Sequence, residues 1–96
     1  MDITEFEQSL ERKSPPAIGM ELQALWHDRR GDWDRAHECV QDENTKASAW
    51  VHAYLHRKEG DKENAAYWYA RARKPFPADV TLQDEWRTIV CELLDN

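Results

Sequence analysis

G-D-W-D-R-A-H at residues 31–37 and G-D-K-E-N-A at residues 60–65 are the stretches that decide the fold. Each opens with a glycine, the residue that most readily ends a helix in the left-handed conformation. Each continues with an aspartate, whose carboxylate caps the helix that follows. Laid over one another at an offset of 29 residues, they also bring Ala24 onto Ala53, His27 onto His56 and Ala36 onto Ala65, with Asp34 over Glu63. A joint this tight allows only antiparallel neighbours, and a small alanine beyond it lets the paired helices approach closely. The internal repeat therefore predicts two helical hairpins, one over 17–42 and one over 46–74.

Working outward, the breakers fall between stretches rich in Ala, Leu, Glu, Lys, Arg and Gln. Pro15-Pro16 precedes the first hairpin, Asp42, Asn44 and Thr45 form a polar turn between the two, and Pro75 and Pro77 end the second. The helices expected within the hairpins cover 17–30, 32–42, 46–59 and 62–74. Ile3, Phe6 and Leu10 lie at helical spacing in a short N-terminal helix over 2–13. Leu82, Trp86, Ile89, Val90 and Leu93 form one stripe of a C-terminal helix over 80–94. No segment alternates with β-branched enrichment, so the class is all-α: a single domain over 1–96, in which the terminal helices cap the apolar ends of a two-repeat stack.

Composition narrows the functions. A 41% apolar and 33% charged chain is globular but polar, and its net charge of −6 opposes phosphate-backbone recognition, so nucleic acid is an unexpected partner. The acidic start, M-D-I-T-E-F-E-Q, is unlike a secretory leader, and no apolar run reaches membrane-spanning length. A cytoplasmic protein with reduced Cys39 and Cys91 is expected.

The two Gly-Asp stretches resemble the turn and second-helix start of tetratricopeptide repeats. In the second copy, Tyr69, Ala72 and Pro77 match that pattern's aromatic, alanine and closing proline. A-A-Y-W-Y-A-R-A at 65–72 is similar to the Sel-like branch of the superfamily, and W-V-H-A-Y-L-H-R-K-E-G-D at 50–61 resembles a group of short bacterial proteins. The resemblance covers about 17–77, departs in its short period, and leaves the first copy without the late alanine and proline. It implies a non-catalytic adaptor holding a protein or peptide segment against a groove lined by the first helix of each pair. Carried onto this chain, that groove presents Trp50, Tyr54, Arg57 and Lys58, with Asp28 and Arg29 from the earlier copy. The competing reading packs Trp50 and Tyr54 under the terminal helices and leaves Arg57 and Lys58 as a solvated helix end.

His52 and His56, one turn apart, stand about 6 Å apart along the helix axis and reach toward a common divalent metal. A third ligand is needed, with His27, Glu59 and His37 as candidates. A metal centre built on His52, His56 and His27 is thus an alternative to a chain without cofactor. The recurrence of His27 and His56 at equivalent positions speaks instead for structural rings. Trp26, Trp33, Trp50, Trp68 and Trp86 are dispersed over the main helices, as core residues are, and a structural subunit packing through Trp86 is a further alternative. Gly-rich phosphate loops and G-x-S-x-G are absent, and His37 and Cys39, two apart on a helix, do not face one another. The catalytic reading is the weaker one.

Overall fold

Gly31 and Gly60 both adopt the left-handed conformation, with φ of 85° and 91°. They close the ends of α2 (Met20–Arg29) and α4 (Lys46–Glu59). In the first joint Gly31 N–H donates to Asp28 O (2.9 Å) and Asp32 N–H to His27 O (3.0 Å). In the second, Gly60 N–H donates to Arg57 O (3.1 Å) and Asp61 N–H to His56 O (3.0 Å). Asp32 Oδ1 then accepts from Arg35 N–H and Asp61 Oδ1 from Asn64 N–H, capping α3 (Trp33–Val40) and α5 (Lys62–Ala72). The offset of 29 residues holds bond for bond.

The computed structural model describes residues 1–95 and is all-α, with α1 (Ile3–Ser9) before the two hairpins and α6 (Leu82–Leu94) after them. α1, α2 and α5 are shorter than the sequence predicts, each for a reason that its end shows. Asp2 and Glu5 form a capping box that starts α1, and the helix ends where the Ser9 carbonyl turns to the indole N–H of Trp26, 3.0 Å away. After Pro15-Pro16, extended Gly19 caps α2 and delays its start to Met20. Arg73, left-handed at φ 58°, stops α5 ahead of Pro75.

Packing centres on α4, which touches α2, α3, α5 and α6. Every residue from Ser48 to His56 is buried, which is why both faces of this helix carry a burial pattern. The four repeat alanines, Ala24, Ala36, Ala53 and Ala65, are fully buried and set the close approach within each hairpin. α6 lies against α2 and α4, and α1 lies against α6. Trp86 is fully buried at that junction; its indole N–H donates to Leu25 O (3.0 Å), and Phe6 packs on it with ring centroids 5.8 Å apart. No helix among the described residues is long and apolar enough to cross a membrane.

Candidate functional site

The side of α2 and α4 expected to form a groove is the side against which α6 packs. Tyr54 and Asp28 are each only 2% exposed. The Tyr54 hydroxyl donates to Asp28 Oδ2 (2.9 Å), and Lys58 Nζ pairs with Asp28 Oδ1 (2.8 Å). Glu85 of α6 repeats the arrangement: Arg57 Nη1 pairs with Oε1 (2.8 Å) and the Tyr69 hydroxyl donates to Oε2 (2.6 Å), while Arg57 also reaches Val80 O. Arg29 lays its guanidinium over the Trp86 ring, 4.5 Å from the centroid, and Trp50 is buried beneath the ammonium of Lys74. Two buried carboxylates, each held by one cation and one tyrosine, thus join α6 and both hairpins. Burial and the facing carboxylates push both tyrosine hydroxyls far above their ordinary pKa, so they stay protonated and donate to those carboxylates. Glu85 was not distinguishable in sequence from the other acids of this chain; only its place opposite Arg57 and Tyr69 singles it out.

The histidines assemble on the other side of α4. One ring nitrogen from each of His37, His52 and His56 lies within 4.8 Å of the others, and His37 Nε2 is 2.9 Å from His52 Nε2. His56 gives Nδ1 to Glu59 Oε2 at 2.6 Å, which leaves its Nε2 as the uncommitted nitrogen. His52 is 5% exposed, and its Nδ1 is the one buried side-chain polar atom without a partner among the described residues. Two indoles flank the group: Trp68 stacks on His52 at 4.0 Å and 13°, and Trp33 stacks on His37 at 5.0 Å and 12°. Trp33 is anchored in turn by its N–H on Leu55 O (2.8 Å). The dispersion of tryptophans along the chain therefore reads correctly for Trp26, Trp50 and Trp86, which are buried, while half-buried Trp33 and Trp68 serve as walls of the cluster.

Burial, and then the neighbouring rings, lower the proton affinity of His52 and His37. His52 falls to a pKa of about 4, and His37 is lowered for the same first reason and next by His56. Both are neutral near pH 7, the state in which an imidazole offers a lone pair to a metal. Two nitrogens sharing a tetrahedral ion at about 2.0–2.1 Å stand roughly 3.3 Å apart, so the His37–His52 separation needs only a few tenths of an ångström of opening.

His27 does not join them. It packs edge-on against Trp26, with ring centroids 5.0 Å apart, and shares a shallow cavity with Arg35 and Cys39. The repeat explains the substitution of His37 for His27. His56 meets α3 of the pair before it, in Trp33 and His37, whereas no helical pair stands before α2.

No family model, curated protein or solved structure matches this chain.

Proposed function

We propose that this is a small metal-binding protein whose centre is His37, His52 and His56, with Glu59 orienting His56. The observation carrying the reading is a set of three imidazoles on two helices, with one ring nitrogen of each converging within 4.8 Å. The all-nitrogen donor set suits zinc, copper, nickel or cobalt rather than magnesium or calcium, which take oxygen ligands. Three protein donors leave a fourth position to water or another small ligand. The Glu59 carboxylate on His56 Nδ1 is the outer contact that fixes the orientation of a ligating ring.

Titration of tag-free protein with cobalt(II) and zinc(II) tests the proposal. One equivalent of cobalt is expected to give the intense visible bands of a tetrahedral site, which zinc then displaces. His37→Gln and His52→Gln are each expected to weaken binding about 100-fold, and Glu59→Gln about tenfold. His27→Gln should leave affinity unchanged. Protein that takes up no metal, or binds it equally well in both cluster variants, would remove the reading.

A further inference from the structure

On the face of α4 turned away from His52, three cavities follow α6, the first against the start of α2 and the other two against the end of α5. The first, of about 450 Å³, is bounded by Ile18, Leu22, Ala47 and Leu93. Ala47 and Leu93 continue into the second, of about 350 Å³, which adds Trp50 and the cations Lys46, Arg73 and Lys74. Trp50, Lys74 and Glu92 continue into the third, of about 250 Å³, which ends at Pro75, Pro77 and Val80. The result is a channel whose middle gathers three cations against the exposed carboxylate of Glu92, while Glu21 stands at the first cavity and Glu85, its oxygens held by Arg57 and Tyr69, at the third.

The middle cavity is opposite in sign to the protein as a whole, whose net charge is −6. Lys46 and Arg73 are exposed and make no ion pair among the described residues. Lys74 stands 4.1 Å over the Trp50 ring and reaches Glu92 only at 3.4 Å, an exposed pair that binds weakly. Arg73 adds an independent observation. It caps α5 at φ 58°, ψ 43°, the conformation that Gly60 supplies at the end of α4 and Gly31 just beyond the end of α2, and it is the only non-glycine residue with positive φ among those described. Arginine there costs roughly 1 kcal/mol relative to glycine. Its backbone N–H makes the same helix-closing bond that any residue would, to Ala70 O, so the cap does not require arginine. What the position gains is a guanidinium at the channel.

We infer that this channel binds an extended acidic segment of a partner protein, with Trp50 as its floor and Lys46, Arg73 and Lys74 pairing with the segment's carboxylates. A planar guanidinium and two ammonium groups recognise carboxylates by charge-assisted hydrogen bonds, and Ala47, Leu93 and Pro75 beside them give the intervening side chains an apolar contact. The site needs no metal and shares no residue with the histidine cluster.

The probe is a fluorescein-labelled peptide alternating glutamate with leucine, set against the same peptide with glutamine, measured by fluorescence anisotropy with chelator present. The glutamate peptide is expected to bind, with an affinity that falls as salt is raised, and the glutamine peptide to bind at least about tenfold more weakly. Arg73→Gly is the decisive variant, because glycine suits that backbone: its melting temperature should be unchanged or higher while the peptide affinity falls about tenfold. Lys46→Glu, a change the positive end of the α4 dipole favours, should weaken the peptide again. Equal binding of the two peptides, full affinity in Arg73→Gly, or no binding of either peptide would overturn the inference. So would light scattering that shows a second copy of the chain on this face, with a dimer that Lys46→Glu disrupts.

Discussion

His52 is buried between Trp68 on one face and His37 and His56 on its other sides, and its pKa near 4 is a statement about stability as well as charge. In the unfolded chain a histidine takes its proton at about pH 6.5. Folding holds the group neutral well below that, so the unfolded chain binds the extra proton first as pH falls. The contribution is therefore complete above about pH 6.5 and is lost progressively down to about pH 4. Between about pH 7.5 and about pH 5 the loss from His52 is on the order of 2 kcal/mol, and His37, lowered in the same direction, adds to it. Urea unfolding of metal-free protein at the two pH values is expected to show this decrease, and His52→Gln to remove most of it. Identical pH slopes in both proteins would show that the ring titrates freely. His52 and His56 could be read in the sequence as a pair because one helical turn separates them. The choice of His37 over His27 could not, because it depends on which face of α3 meets α4, a contact between hairpins that spacing along the chain does not encode.

At the scale of the helix, the Gly-Asp joints were legible because glycine and aspartate act on their immediate neighbours through backbone conformation and capping, with no distant partner required. The boundaries of α1 and α2 were less so, since the end of α1 is fixed by an indole seventeen positions away in the chain. Glu85 shows the same limit for polar contacts. Its partners Arg57 and Tyr69 come from α4 and α5, and it is 4% exposed, so three helices meet on one carboxylate. Removing it by Glu85→Ala strands the largely buried Arg57 guanidinium, and such a loss typically costs about 3–5 kcal/mol. Tyr69→Phe deletes one hydrogen bond to a charged group and is expected to cost about 1.5–3 kcal/mol. The ordering is checked by denaturant midpoints, with circular dichroism confirming that α6 remains helical in Tyr69→Phe. If Glu85→Ala is no more destabilising than Tyr69→Phe, the ion pair with Arg57 contributes nothing to holding α6.

Across the whole molecule, the two proposed functions occupy opposite faces of α4, the helix that every other layer except α1 packs against. The radius of gyration, 12.3 Å, matches the 12 to 13 Å expected from chain length, so there is little slack between hairpins to absorb a shift at either face. The histidine cluster spans that seam: His37 belongs to the first hairpin, and His52 and His56 belong to the second. A metal held by all three would bind the folded chain and not an arrangement in which the hairpins have separated, so its binding free energy adds to folding stability. At free zinc about 100 times the dissociation constant the gain is about 2.7 kcal/mol, which for a domain of this size raises the melting temperature by roughly 10–20 °C. Replacing His37 with glutamine leaves two ligands on one helix and no bridge. In that variant the rise should nearly vanish, and so should the metal-dependent slowing of amide exchange in α3. If zinc raises the melting temperature of His37→Gln as much as that of the native protein, the ion is bound within the second hairpin alone and does not join the repeats.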